Sequence, residues 1–323
     1  MSTPSRPVKA PTVIAVVGPT AVGKSALAEV LALDLGGEVV SADAMQVYRG
    51  MDIGTAKPPA GGRAAPYHCI DLVDPGETYS AARFQHDARA AIADIAERER
   101  VPILCGGTGL YVRAALDDWA FPYGEAATSG RARLEALAAE IGPEGLHALL
   151  ADRDPEAAAR IHPNNVRRVV RALEMLESGT SYAAQAVRFA ERESVYEAVM
   201  LGLTMNRERL YARIDERVDR MLAAGLLEEV QGLLSRGFRE ALTAAQAIGY
   251  KELVPVVEHG VDLGEAAAAI RRATRRYAKR QMTWFRADPR ITWLDVTELS
   301  PDQTRSAALR LVESRERHAP PGA

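Results

Sequence analysis

Short apolar segments rich in β-branched residues recur along the chain, and they predict β-strands. The segments are TVIAVV (12–17), EVVSAD (38–43), HCIDLVD (68–74), VPILCGG (101–107), VMLGLTM (199–205) and ITWLDV (291–296). Most are followed by Gly, Asp or Thr and then by helical spacing, as in residues 80–98, where apolar side chains form one stripe. Strand, turn and helix in series predict an α/β fold, with a parallel sheet covered by helices on both faces.

The strand pattern is interrupted between residues 120 and 197. Consecutive segments there have helical spacing and are separated by Gly or Pro: RARLEALAAEIG, GLHALLADR, NNVRRVVRALEMLESG and SYAAQAVRFAER. Because the strand pattern resumes afterwards, we predict an α-helical insertion (120–197) in a core formed by 12–119 and 198–315. The leader 1–11 and the tail 316–323 are predicted to be disordered.

A loop between the first predicted strand and the first predicted helix fits the pattern G-x-x-x-x-G-K-[ST]. It reads GPTAVGKS and comprises Gly18, Pro19, Thr20, Ala21, Val22, Gly23, Lys24 and Ser25. In such a loop the backbone N–H groups and the helix N-terminus face an anion, Lys24 neutralises phosphate charge and the Ser25 hydroxyl holds Mg²⁺. The sequence therefore predicts a core like that of P-loop NTPases. A glycine-containing turn capped by Ser25 is the simpler alternative.

The phosphate loop does not identify its ligand. Nucleoside triphosphatases usually have a second strand that ends in Asp, whereas VPILC runs into GGTGLY. Asp43 instead follows the strand EVVSA, at the carboxyl edge where open α/β sheets bind ligands. A carboxylate there is a candidate general base or metal ligand. An N-cap or turn role for Asp43 is the alternative.

Charge is balanced overall but concentrated locally. The 323 residues have a formal net charge of −3, so any nucleic-acid partner must be held by a cluster. One cluster, RRATRRYAKRQMTWFR, contains no acid, and its basic residues are Arg271, Arg272, Arg275, Arg276, Lys279, Arg280 and Arg286. A second cluster comprises Arg167, Arg168 and Arg171, near the start of a predicted helix in the insertion. Both suit RNA phosphates, although a solvated basic helix has the same pattern.

Several other classes of protein are disfavoured. Cys69 and Cys105 lie far apart without C-x-x-C spacing, which argues against a disulfide scaffold or structural zinc and fits a reducing cytoplasm. His68, His86 and His162 include no pair with ligand spacing. No apolar run reaches the ~18 residues that a membrane span needs.

Six segments, in order along the chain, resemble the bacterial tRNA dimethylallyltransferase family (tRNA isopentenyltransferases). They are GPTAVGKS, SADAMQVYRGMDIGTAKP, YSAARFQHDA, GGTGLYVRA, AIGYKE and TRRYAKRQMTWFR. The resemblance spans roughly residues 12–290 and is far more specific than the phosphate loop alone. It implies that the loop binds the diphosphate of dimethylallyl diphosphate, with Mg²⁺. The prenyl group would go to N6 of the adenosine 3′ of the tRNA anticodon, at position 37. We expect the enzyme to act as a monomer.

The resemblance also implies roles for particular residues. Asp43 would be the general base, Thr108 would lie near the allyl group and the target amine, and Arg217 would bind diphosphate. The residues expected to contact the tRNA anticodon stem-loop are Asp43, Ala44, Met45, Gln46, Arg167, Arg168, Arg171, Arg275, Lys279 and Arg280. Position 44 departs from the family, which more often has Ser after the aspartate. The target adenosine would be flipped into a channel that the diphosphate enters from the other end.

Three other functions fit part of the pattern. A small-molecule P-loop kinase would use the phosphate loop but has no use for the basic run at 271–286. An adenylate (AMP) isopentenyltransferase would carry out the same chemistry on a free nucleotide, and both basic clusters favour tRNA over it. A non-catalytic RNA-binding module would not need Lys24, Ser25 and Asp43 together.

Overall fold

The computed structural model describes residues 11–121 and 129–318. Its strands are β1 (Thr12–Val17), β2 (Glu38–Ser41), β3 (Tyr67–His68), β4 (Pro102–Gly106), β5 (Glu197–Thr204) and β6 (Thr292–Asp295). The first helices are α1 (Lys24–Leu35), α2 (Ala81–Glu97), α3 (Gly109–Leu116), α4 (Ser129–Arg153), α5 (Pro155–Arg160) and α6 (Val166–Glu177). They are followed by α7 (Tyr182–Ala190), α8 (Arg207–Ala223), α9 (Leu226–Leu234), α10 (Tyr250–His259), α11 (Leu263–Arg286) and α12 (Pro301–His318).

All the described strands join one parallel sheet in the order β3-β2-β4-β1-β5-β6. The predicted α/β class is therefore confirmed. Strand β1 pairs with β4 on one side and β5 on the other, with Val16 opposite both Cys105 and Leu201. A strand at this position is covered on both faces, which explains why TVIAVV is an unbroken apolar run rather than an alternating one.

One predicted strand is largely absent. The segment 68–74 contributes only His68 to β3, and the chain then turns, because Cys69 and Asp71 have φ angles of 60° and 56°. Extended strands require negative φ, so these two residues end the pairing. Ile70 and Val73 are nevertheless buried. The apolar run therefore predicted the burial of this segment correctly, but the prediction of an extended strand was wrong.

The chain forms two compact units, one comprising 1–116 and 194–323 and the other Asp117–Glu193. The second unit is helical and has a core of its own, centred on Leu146, Leu150 and Leu173. Within α4 the chain kinks at Gly142 (φ 76°), immediately before Pro143, where the sequence pattern also breaks. The sequence prediction put the limits of this insertion at 120 and 197.

The predicted disordered ends lie mostly outside the described residues, which exclude 1–10 and 319–323. Helix α12 continues to His318 and therefore includes 316–318, the first part of the predicted tail. The residues ERH there have no helix breaker, and the first prolines come later, at 320 and 321. Among the described helices, none has the length and apolar character needed to cross a membrane.

Candidate active site

The phosphate loop joins β1 to α1 in a conformation that only glycine adopts readily. Gly18 has φ 143°, and a Cβ at this position would lie 2.6 Å from the carbonyl oxygen of Leu203. Gly23 has φ 111° and immediately precedes the first residue of α1, Lys24. The loop can therefore curl around an anion at the positive end of the helix.

A cavity of about 270 Å³ opens over this loop. Its wall contains Lys24, Ser25 and Asp43, together with three arginines of α8. Those arginines are Arg213, Arg217 and Arg220, which are spaced i, i+4 and i+7 and share a helix face. The concentration of cations against the phosphate loop suits a ligand with several negative charges.

Lys24 is poised to respond to such a ligand. Its ammonium donates to the carbonyl oxygen of Pro19 at 2.7 Å. Burial lowers the pKa of Lys24 to about 8, and the nearby Arg217 acts in the same direction, whereas Asp43 opposes the shift. A bound diphosphate would favour the charged lysine and raise this pKa, so that binding would take up a proton at alkaline pH.

We therefore expect the affinity for a diphosphate ligand to fall as pH rises above about 8, approaching about tenfold per pH unit. Below that pH, Lys24 is already charged in the free protein, and the affinity should be flat. Titration calorimetry between pH 7 and 10 would measure the dependence. Lys24→Arg is the matched control, because a guanidinium stays charged throughout. If the affinity of Lys24→Arg fell above pH 8 in the same way as that of the wild type, Lys24 would not be the group responsible for the pH dependence.

The loops that follow β2 and β4 are joined by hydrogen bonds. The Thr108 amide donates to the carbonyl oxygen of Ala42 at 3.2 Å, and the Thr108 hydroxyl accepts from the Ala44 amide at 3.1 Å. A Cβ on Gly106 would lie 2.1 Å from the Ala42 carbonyl oxygen, so this close approach requires glycine. Asp43 lies within this junction and therefore has a fixed position.

The carboxylate of Asp43 is oriented locally, since its Oδ1 accepts from the Met45 amide at 2.8 Å. Asp43 also lines a second cavity of about 360 Å³, called the central cavity below, whose lining includes Thr108, Arg217 and Tyr277. An apolar wall completes this cavity and consists of Ile214, Val218, Met221, Ile270 and Ala273. Asp43 and Arg217 line both this cavity and the one over the phosphate loop.

Helix α11 holds two of these loops together through a buried glutamine. The Gln281 Oε1 accepts from the Thr20 amide at 2.8 Å, and its Nε2 donates to the carbonyl oxygen of Gly107 at 2.9 Å. One turn earlier, Tyr277 makes side-chain hydrogen bonds with Thr108 and Gln281, while burial raises its pKa to about 12. The helix with the basic run therefore also fixes the phosphate loop.

Comparison with known proteins identifies the family to which this chain belongs. A model of the IPP transferase family matches residues 46–288, and one of isopentenyl transferases matches residues 11–62. The chain belongs to the IPP transferase family. The tRNA dimethylallyltransferase of Geobacillus thermodenitrificans is 49% identical over 88% of this chain and 91% of that protein. The tRNA dimethylallyltransferase of Symbiobacterium thermophilum is 52% identical over 90% of each chain.

Solved structures agree with this family assignment. The full-length tRNA isopentenylpyrophosphate transferase of Bacillus halodurans has a TM-score of 0.69 and 43% identity, with 96% of this chain and 99% of that chain covered. A eukaryotic dimethylallyltransferase, solved while acting on tRNA, has a TM-score of 0.78 and 31% identity. That comparison covers 95% of this chain and 79% of the eukaryotic one.

The basic run of α11 has acidic partners that its own sequence lacks. Arg271 pairs with Asp219, and Arg275 pairs with Asp215. Both acids lie on α8, so this part of the run is partly neutralised inside the fold. Lys279 is exposed, and Arg280 lines the central cavity with its guanidinium 5.6 Å from the Tyr277 ring centroid.

The remaining candidates for RNA contact differ in their exposure and in the partners that their side chains already have. On α6, Arg167 and Arg168 are exposed, while Arg171 lies 3.6 Å from the Glu174 carboxylate. Ala44 and Met45 line the central cavity. The Gln46 side chain is buried and already engaged, since its Oε1 accepts from the Ser41 hydroxyl at 2.8 Å and its Nε2 donates to the carbonyl oxygen of Thr55 at 3.3 Å.

Sequence reasoning missed three residues that line the cavity over the phosphate loop, namely Arg213, Arg220 and Gln281. Arg213 and Arg220 share a helical face with Arg217, and their spacing could have revealed them. The bridging role of Gln281 had no comparable indication, because its partners lie 261 and 174 residues away.

A magnesium site in this cavity would need oxygen atoms from both the protein and a bound phosphate ligand. Among the described residues, no three His, Cys, Asp or Glu side chains form a group that could hold a metal ion. The Ser25 hydroxyl and the Asp43 carboxylate line the cavity over the phosphate loop and offer hard oxygen ligands. Mg²⁺ commonly takes one or two protein oxygens together with substrate phosphates, so this donor set fits it.

Proposed function

We propose that this protein transfers the dimethylallyl group from dimethylallyl diphosphate to N6 of the adenosine at position 37 of tRNA, releasing diphosphate. The observation that carries the proposal is that Asp43 and Arg217 line both cavities. A base and a cation thus stand where an acceptor in one cavity meets a diphosphate ester in the other. The names of the relatives support a dimethylallyl group and tRNA as the reactants, and the two adjoining cavities can accommodate a donor and an acceptor.

Asp43 acts on the acceptor. The lone pair of an adenine amine is delocalised into the ring, so the amine attacks carbon only if its proton is removed as the new bond forms. The C–N bond forms at C1 of the allyl group, the C–O bond to diphosphate breaks, and Asp43 takes the N6 proton. The Met45 amide donates to Oδ1 of Asp43 at 2.8 Å and so restricts the orientation of this carboxylate, which belongs to a residue that lines both cavities.

Lys24 and Arg217 act on the leaving group. Diphosphate departs only if the charge that develops on its bridging oxygen is stabilised, and fixed cations in a partly desolvated cavity do this effectively. Burial lowers the pKa of Arg217, and the nearby carboxylate of Asp43 acts in the opposite direction. Mg²⁺ held by Ser25 and the diphosphate oxygens would supply further neutralisation when bound.

The acceptor is the anticodon stem-loop of tRNA. An adenosine stacked in that loop reaches the cavity only when it is flipped out. Arg280 at the cavity and Lys279 nearby supply cations for the RNA backbone on α11, and Arg167, Arg168 and Arg171 supply them on α6. The protein acts as a monomer in the cytoplasm.

Replacing Arg167 and Arg171 together with alanine is expected to weaken tRNA binding and to flatten its dependence on salt. Each lost phosphate contact reduces the slope of log K against log salt by about 1. Filter binding from about 50 to 200 mM salt would measure both changes. A rise in the Michaelis constant for the prenyl donor, with unchanged tRNA binding, would overturn this role for α6.

The direct test of function is incubation with Mg²⁺, labelled dimethylallyl diphosphate and tRNA from cells that lack the modification, with free AMP in a parallel tube. Label recovered from digested tRNA as N6-dimethylallyladenosine supports the proposal. Label on AMP alone would indicate an adenylate isopentenyltransferase. No label in either tube, together with consumption of ATP when small acceptors are present, would indicate a P-loop kinase.

A further inference from the structure

A glutamate of α9 holds a loop that forms part of the wall of the central cavity. The carboxylate of Glu229 accepts from the amides of Asp52 at 3.1 Å and Ile53 at 2.8 Å through Oε2, and from that of Gly54 at 3.3 Å through Oε1. Gly54 and Thr55 line the central cavity, whereas Glu229 lines neither this cavity nor the one over the phosphate loop. The glutamate therefore stands behind the wall and binds its backbone.

Tyr250, the first residue of α10, completes this arrangement. Its hydroxyl donates to Glu229 Oε1 at 2.6 Å, and its side chain is fully buried. A Cβ at Gly54 would lie 2.4 Å from the Tyr250 ring, so the ring packs directly on the loop backbone. A single carboxylate thus receives three backbone amides and one hydroxyl, and hydrogen bonds to an ionised acceptor are about twice as strong as neutral ones.

The held loop is connected to the segment that bears the proposed base. The carbonyl oxygen of Thr55 accepts from Gln46, whose Oε1 in turn accepts from the hydroxyl of Ser41 at the end of β2. Asp43 lies between Ser41 and Gln46 in the chain. A displacement of the loop 52–55 would therefore disturb both the cavity wall and the Asp43 segment.

We propose that Glu229 is a positioning residue for prenyl transfer. It fixes the wall formed by Gly54 and Thr55 relative to Asp43, so that amine, allyl carbon and leaving oxygen stay aligned while the bond is exchanged. This inference rests on the proposed function. A misplacement of about 1 Å, even from a mutation away from the chemistry, can cost about 100-fold in rate.

The test compares Glu229→Gln, Tyr250→Phe and the control Glu228→Gln, whose side chain is exposed on the same helix. Glutamine keeps the shape but offers one acceptor and turns an NH₂ group toward backbone donors. We expect its single-turnover rate to fall about 10- to 100-fold, with the donor and tRNA dissociation constants within about threefold of the wild type. Tyr250→Phe keeps the ring over Gly54 and loses one hydrogen bond, so its rate should fall about 3- to 10-fold.

The outcomes separate this inference from the proposed function. An inactive wild-type protein would remove the proposed function itself. With an active wild type, a wild-type rate in Glu229→Gln overturns the positioning role. The role is also overturned if the rate, the donor affinity, the tRNA affinity and the melting temperature all fall together in both Glu229→Gln and Tyr250→Phe. Such a result would indicate a merely structural role. If Glu229→Gln does not fold, Tyr250→Phe decides, and a slower rate with unchanged affinities supports the inference.

Discussion

Replacing Asp43 with asparagine is expected to lower the turnover number by about 10²-fold or more, while the affinity for tRNA stays nearly unchanged. The asparagine Oδ1 can still accept from the Met45 amide, the bond that holds the carboxylate at 2.8 Å. The turn is thereby preserved and only the basic oxygen is lost. Asp43→Ala removes both functions and should be at least as slow. Single-turnover transfer and equilibrium tRNA binding would be measured on the same preparations.

The same variant has an independent signature. Asp43 raises the pKa of Lys24 against the lowering effect of burial. Without that carboxylate, the lysine should lose its proton at a lower pH, and the alkaline loss of donor affinity should begin below pH 8. Equal losses of turnover and tRNA affinity would remove Asp43 from the base role. An unshifted alkaline profile would separate Asp43 from Lys24.

Replacing Arg217 with glutamine is expected to lower the transfer rate by about 10²- to 10³-fold. The guanidinium lines both cavities, so it stands where negative charge develops on the departing diphosphate. The affinity for the ground-state donor should change less than the rate, because the charge on the bridging oxygen is greatest in the transition state. Rapid-quench measurements at saturating donor would separate the two.

Arg213→Gln provides the matched comparison on the same face of α8. Arg213 lines only the cavity over the phosphate loop and is exposed. Its loss should therefore raise the donor dissociation constant several-fold and leave the rate at saturation close to that of the wild type. Identical kinetic losses in the two variants would show that Arg217 acts as one cation among several.

The phosphate loop and the strand before it could be predicted because their determinants are local. TVIAVV forms β1 with the predicted bounds, and the glycines at 18 and 23 adopt the positive φ angles that the motif implies. Asp43 follows β2 as expected. Short-range patterns of this kind include both the burial of a strand and the chemistry of the turn after it.

The contacts that assemble the site depend on residues far apart in the chain. Glu229 binds amides about 176 residues away, and no periodicity indicates that partner. The acids that pair with the α11 arginines lie 52 and 60 residues earlier, so a run without acids looked more strongly basic than it is in the fold. The segment 68–74 shows the same limit, since burial alone did not require an extended backbone.

The order of strands in the sheet has a consequence for donor length. Strand β4 lies between β2 and β1, and its Leu104 pairs with Val40 on one side and Ala15 on the other. Neighbouring strands are about 4.8 Å apart, so the loops after β2 and β1 start about 10 Å from each other. This spacing is set by hydrogen bonds between backbone groups, so substitutions of surface side chains do not change it. We therefore expect variants that accept a longer prenyl chain to carry substitutions in the apolar wall contributed by α8 and α11, because the spacing of the strands does not change.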